Sequence, residues 1–241
     1  MELERLGQPK AEDVTHFPYK QIIGSLLYLI THTRPDMAYA VIFLSRFSTG
    51  FGVPHVHAVR QLLRYVASTR EYGLVLGLPD KDGKFTVVAY ADADYAMCAD
   101  TSRSTTGNLV LSGGSAVNWK VQRQSVVAQS TMEAEYMALA HACREVIWLR
   151  FLFEQLGMPI KGPTEIREDN EAARRLANNP EFHELSKHIA VKYHLTRDMV
   201  ENGTVVVTSV RTQHQLADIF TKPLASPIFL HLRNAIGVRM A

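Results

Sequence analysis

Apolar and polar positions change period once along the chain, near residue 73. Before it, the spacing is helical. Ile22, Ile23, Leu26, Leu27 and Ile30 fall on one face of a helix over residues 19–31. Thr33-Arg34-Pro35-Asp36 interrupts it, and Pro35 suits the first turn of a new helix running from Met37 to Phe47. Gly50 to Pro54 reads as a loop. A third helix is expected over 55–68, with Val59, Leu62, Leu63 and Val66 inward.

After Gly73 the pattern shortens to strands. Leu74-Val75-Leu76 is a short one, followed by a turn at Pro79–Gly83. Residues 85–90 are β-branched and aromatic, as a central strand requires. Residues 108–111 and 116–120 give two more strands of an antiparallel meander. Ser130 with Glu133 three positions later forms a capping box for a long helix. Its buried stripe is Met132, Tyr136, Leu139, Cys143 and Val146, and Gly157 and Pro159 end it. Then come a strand (164–167), a short helix (170–177), a helix (185–201), a strand (204–210) and a last helix opening over 215–221. Three antiparallel strands followed by alternating β and α predict an α/β fold, a mixed sheet carrying helices.

Composition narrows little. Net charge is +2 over 241 residues, so a nucleic-acid partner would have to be held by local patches. Residues 1–73 carry eight basic against six acidic residues, which leaves the remainder balanced. Cys98 and Cys143 make neither a disulfide framework nor a zinc site, and fit a reducing compartment. Met1–Lys10 has no apolar signal core, and the apolar run 22–30 is too short to span a bilayer, so neither secretion nor a membrane is expected.

Four acids fall at informative places: Asp92 at the end of the first meander strand, Glu135 early in the long helix, Asp169 at the end of the next strand, and Asp218 at the start of the last helix. Each alone is as well explained by a turn, a cap or the helix dipole. Brought together, they would repel and need a cation. Hard oxygen ligands suit magnesium or manganese, and two such ions about 4 Å apart are the usual apparatus of phosphodiester hydrolysis. Spacing does not prove the convergence. Asp94 would share a face with Asp92 if the strand continued, and Glu133 competes with Glu135.

The motifs settle on a family. Tyr90-Ala91-Asp92-Ala93-Asp94-Tyr95-Ala96 resembles the Tyr-Ser-Asp-Ala-Asp-Trp-Ala opening of copia-type retrotransposon ribonucleases H. Arg103-Ser104-Thr105-Thr106-Gly107 resembles Arg-Ser-Thr-Ser-Gly. The run from Ser130 to Leu139 resembles Ser-Ser-Thr-Glu-Ala-Glu-Tyr. Glu168-Asp169-Asn170 resembles Cys-Asp-Asn, and Gln215 to Leu224 resembles the family's closing signature. Upstream, residues 23–29, Thr33-Arg34-Pro35-Asp36 and Leu62–Val66 match the stretch joining reverse transcriptase to ribonuclease H. The resemblance therefore runs from Phe17 to Leu224, as the C-terminal part of a Pol polyprotein.

That resemblance implies a ribonuclease H-like fold, a five-stranded mixed sheet with flanking helices over residues 76–224. A helical thumb- or connection-like remnant (1–75) precedes it and a C-terminal tail (225–241) follows. It implies that Asp92, Glu135, Asp169 and Asp218 are catalytic and hold two Mg2+ or Mn2+ ions. The RNA strand of an RNA–DNA hybrid would be cut, leaving a 5′-phosphate and a 3′-hydroxyl. Glu168 and Tyr95 depart from the family's Cys and Trp. Arg103, Ser104, Thr105, Trp119, Lys120, Arg123 and Lys187 are candidates for substrate contact, Arg60, Arg64 and Arg70 for a duplex platform or plain scaffold. His214, four residues before Asp218, is a candidate for product release. His183, His188 and His194 are not spaced as a metal cluster. The paired-Asp polymerase motif is missing, so no polymerisation is expected. Expected partners are the hybrid and the rest of the Pol polyprotein, and the expected location is a cytoplasmic virus-like particle, with nuclear access as a variant. The competing readings are a non-cutting hybrid-binding module, an inactive transposon relic, and an integrase-type fold, whose Asp, Asp, Glu order differs from the Asp, Glu, Asp, Asp found here.

Overall fold

The computed structural model describes residues 14, 16–78, 86–96, 102–179 and 190–240. The turn at 79–83, Phe85, Cys98, the start of the helix expected from 185, His183, Lys187 and His188 lie outside them. The chain divides into two compact units, Met1–Gly73 with Met240–Ala241, and Leu74–Arg239.

The first unit holds α1 (Tyr19–His32), a 3-10 turn (Pro35–Met37), α2 (Ala38–Ser45) and α3 (Val53–Ser68). The expected helical faces are buried at Ile23, Leu26, Ile30, Val59 and Leu62. Leu63 is a correction: it points outward, and Val56, one turn before Val59 and Arg60, takes the inward place. The break between α1 and α2 is an ion pair, because Arg34 and Asp36 are both buried and joined by two hydrogen bonds of 2.8 and 3.0 Å. The Tyr65 hydroxyl donates to Asp36 at 2.6 Å, and Arg34 donates to the Thr69 hydroxyl and carbonyl, so the Thr-Arg-Pro-Asp turn is tied to the end of α3.

Among the described residues the second unit has a five-stranded sheet. After the short β1 (Tyr72–Leu74) at the boundary, the strands are β2 (Val87–Asp94), β3 (Thr105–Ser112), β4 (Ser115–Arg123), β5 (Thr164–Glu168) and β6 (Val205–Ser209). Their spatial order is β4-β3-β2-β5-β6. β2 pairs antiparallel with β3 and parallel with β5, β3 pairs antiparallel with β4, and β5 pairs parallel with β6. The expected strands are present except that the first lies at Tyr72–Leu74, ahead of the expected 74–76, and the meander strands are longer than expected. β2 does not stop at Tyr90 but continues through Ala91-Asp92-Ala93-Asp94. Ala and Asp are poor strand formers, and here pairing with β3, which runs through to Asp94 opposite Thr105, overrides that preference.

The long helix α4 (Thr131–Gln155) lies on the face to which Val87, Ala89, Ala91 and Ala93 point. Small alanines let the helix come close. Its N-terminal half is buried nearly all round, because α5 (Glu171–Asn178) and α6 (Ala190–Glu201) pack beside it. Two buried amides fix it: Asn108 donates to the Ala138 carbonyl and Gln124 to the Ala134 carbonyl, each at 3.0 Å. Gly157, at φ 74°, ends the helix as expected.

Two expectations at the C-terminus are corrected. Residues 216–220 form a 3-10 turn, not the start of an α-helix, and the helix proper is α7 (Ser226–Ala235), followed by β7 (Val238–Met240). Residues 225–239 are no appendage. Leu232, Ile236 and Val238 are buried, and the Ile236 and Gly237 carbonyls accept the Ala116 and Val75 N–H groups.

Candidate active site

β2 and β5 run parallel, and their carboxyl ends open at the same edge of the sheet as the first turn of α4. Asp92 sits on β2 opposite Gly107 of β3, facing away from α4. Glu135 sits in the first turns of α4, and one of its oxygens accepts the Ala93 N–H at 2.7 Å. Asp169 follows β5, one residue before Asn170, whose side chain caps α5. Asp92, Glu135 and Asp169 each offer a carboxylate oxygen, and these atoms lie within 4.8 Å of one another. Three of the four acids singled out from sequence are thus brought to one point.

Asp218 is brought alongside by different means. Gln215 is fully buried and donates to the Ala91 carbonyl at 2.8 Å, which pins the 3-10 turn across β2. Gly107 is what lets the turn come down. A Cβ there would stand 2.7 Å from the Thr221 methyl, 2.8 Å from Phe220 Cβ and 3.0 Å from the Ala217 carbonyl oxygen. The Thr221 hydroxyl then donates to Asp92, and Lys222 forms an ion pair with Asp218 at 2.8 Å.

The electrostatics follow from burial. Desolvation first, then the charge of Asp218, raises the Asp92 carboxyl above the ordinary carboxylate range, against the pull of Lys222 and Thr221. Glu135 is raised further, by burial and then by Asp92, Glu168 and Asp169. Asp218 is raised by burial, with Lys222 opposing. Lys222 is raised because the charges of Asp92, Asp218 and Asp169 outweigh its own burial. Buried carboxyls that oppose one another's ionisation form a site that favours a divalent cation. A cleft of about 650 Å³ opens beside Asp169, lined by Met132, Asn170, Glu171, Arg175 and Leu176.

The two competing acids have hydrogen-bond partners of their own. Asp94 does share the face of Asp92, but one of its oxygens accepts the Thr105 N–H across the strand pair. Glu133 accepts the Gln129 N–H at 2.8 Å, while its own N–H donates to the Ser130 hydroxyl. It therefore serves the helix cap, reaching one residue further back than the expected box.

The substrate-contact candidates divide. Ser104 and Thr105 are buried: the Ser104 hydroxyl accepts the Ala96 N–H at 3.1 Å and its carbonyl accepts the Gln124 N–H. Lys120 pairs with Glu145 at 3.5 Å. Arg123 is exposed, and Arg103 and Trp119 are half-buried. His214 is exposed beside Gln213. In the first unit Arg60 lies over the Phe17 ring and Arg70 pairs with Glu71. Gln215, Thr221, Lys222 and Gly107 received no role from sequence, although all four lie inside the quoted motifs.

A five-stranded sheet in this order, one long helix across its centre and acids at the carboxyl ends of its parallel strands define a ribonuclease H-like fold. Over 91–92% of its length the chain is similar to retrovirus-related Pol polyproteins of plant transposons. It is 40% identical over 220 residues to the Pol polyprotein from transposon RE1 of Arabidopsis thaliana, covering 91% of this chain and 15% of that protein. It is 36% identical over 221 residues to that from transposon TNT 1-94 of Nicotiana tabacum, covering 92% and 16%. The chain thus spans about 15% of the length of these curated relatives. Among solved structures, LC11-RNase H1 in complex with RNA/DNA hybrid superposes with a TM-score of 0.43 at 14% identity, over 56% of this chain and 93% of that one. No protein-family model matches the chain.

Proposed function

We propose that this chain is a metal-dependent endonuclease that hydrolyses the RNA strand of RNA–DNA hybrids during reverse transcription of a retrotransposon. The observation that carries it is the convergence of Asp92, Glu135 and Asp169 within 4.8 Å, with Asp218 held beside them by Lys222. The donor set fits the metal, since it is all oxygen, buried and mutually repelling. Bound there, two Mg2+ or Mn2+ ions supply the Lewis acidity and positive charge that phosphodiester hydrolysis needs.

The chain's own groups divide the remaining work. Asp92, Glu135, Asp169 and Asp218 hold the ions. The Ala93 N–H orients the Glu135 carboxylate, and the Thr221 hydroxyl orients Asp92. Lys222 offsets negative charge on Asp218 and Asp92. The cleft beside Asp169 gives the RNA strand room, with Arg175 and Asn170 on its wall. Exposed Arg123 and half-buried Arg103 are available to the phosphate backbone. The substrate class follows from the family, whose motifs the chain carries in order.

A substrate panel tests this reading. With magnesium, the purified chain should cut the RNA of a labelled hybrid and spare single-stranded RNA and duplex DNA. Equal cutting of all three would refute it.

A further inference from the structure

Glu168 stands one residue before Asp169, where the copia-type motif has Cys. It ends β5 and is fully buried. One carboxyl oxygen, Oε1, accepts the Asn170 N–H at 3.0 Å. The other, Oε2, is buried and has no hydrogen-bond partner. A buried polar oxygen left without a partner is unfavourable. A turn-capping role for Glu168 uses Oε1 only, and would be served as well by a neutral residue.

The direction of the side chain is given by the strand. Thr164, Ile166 and Glu168 alternate onto one face of β5, and Ile166 belongs to the core under α4. Glu168 therefore points to the face from which Glu135 reaches the strand end. It is the chain neighbour of Asp169, one of the three carboxylates (Asp92, Glu135, Asp169) that lie within 4.8 Å of one another. In a hydrogen-bonding sense Oε2 is idle. In a ligand sense it is an additional hard donor next to a site whose other donors are hard oxygens.

We propose that Glu168 is an additional metal-binding carboxylate of this chain, its free Oε2 joining Glu135, Asp169, Asp92 and Asp218 in holding divalent ions. The proposal rests on the hydrolase reading above and deepens it. A further carboxylate makes the site more negative and should tighten its hold on Mn2+ relative to a chain with an uncharged residue at 168.

The test is binding, not turnover. The whole chain is titrated with Mn2+ alone, free ion is followed by its electron paramagnetic resonance signal, and folding is checked by near-ultraviolet circular dichroism. Glu168→Gln keeps the acceptor for Asn170 and removes the charge. Its half-saturating Mn2+ concentration should rise at least about tenfold, equivalent to about 1.4 kcal/mol. Glu168→Cys, which restores the motif's usual residue, should show the same loss and serves if the glutamine variant does not fold. A folded variant that binds Mn2+ as tightly as the parent overturns the proposal and leaves the hydrolase reading standing. A parent chain that takes up no Mn2+ overturns both.

Discussion

Replacing Glu135 by Gln should nearly abolish cleavage, while the same change at Glu133, two residues away on the same helix, should not. Both side chains are buried, so exposure does not separate them. Their partners do. Glu135 shares a 4.8 Å cluster with Asp92 and Asp169, and only its Oε2 is engaged with backbone, at Ala93. Gln keeps an oxygen for the Ala93 N–H and turns the other atom into an amide that cannot ligate a metal. A unit charge about 4 Å from another is worth about 4 kcal/mol at an effective dielectric of 20. Loss of at least a hundredfold in rate, about 2.7 kcal/mol in barrier, is therefore expected. The melting temperature in chelator should hold or rise, because Gln removes a buried carboxyl that folding must otherwise hold protonated against its ordinary ionisation. In Glu133→Gln the amide oxygen still accepts the Gln129 N–H, the Ser130 cap is untouched, and stability should fall by less than about 1 kcal/mol. Single-turnover cleavage and melting curves on both variants decide it. A dead Glu133→Gln beside an active Glu135→Gln would refute the reasoning.

Further outcomes follow from the packing and the charges. Gly107→Ala should cost about 1–3 kcal/mol and weaken cleavage, since the new methyl meets Thr221, Phe220 and Ala217 at 3.0 Å or less; thermal melting with unchanged stability would show that the turn does not press on β3. In chelator the protein should lose stability as pH rises from about 5 towards 8. Asp92, Glu135, Glu168 and Asp218 have raised folded-state values, so the folded state binds more protons than the unfolded chain from about pH 4 up to those values. Saturating magnesium should flatten or reverse that slope, and a chelator melting curve that climbs with pH would contradict the assignment. Arg34→Met leaves Asp36 buried without its cation and should destabilise the first unit by about 3–5 kcal/mol, read by denaturant titration. A loss under about 1 kcal/mol would mean the pair is dispensable.

The sequence made the helices of the first unit legible, because apolar spacing and the Gly and Pro breaks act over a few residues. It also made the mixed sheet and the succession of its strands and helices along the chain legible, through the motifs and the alternation of β and α. Local signals ended β2 too early, because the strand character of Ala91–Asp94 comes from pairing with β3 and not from its own residues. They turned the Asp218 segment into an α-helix, whereas Gln215 and the missing side chain of Gly107 hold it as a 3-10 turn on the sheet. The acids were legible as a set. The Thr221 contact with Asp92 was not, since the two residues are 129 positions apart in the chain and meet only after folding. Ser104 and Thr105 were read as substrate contacts because they are polar and lie in a motif; their backbone groups pair with the Gln124 and Asp94 ends of neighbouring strands, which buries them.

The most direct measurement is single-turnover cleavage of a hybrid labelled separately on its RNA and DNA strands, by the parent chain and by Asp92→Asn, with magnesium and with chelator. The account predicts that only the parent with magnesium cuts, that only the RNA strand is cut, and that the products carry 5′-phosphate and 3′-hydroxyl ends. Cutting that survives the chelator or the loss of the Asp92 charge, or an intact hybrid under the parent with magnesium, would contradict it.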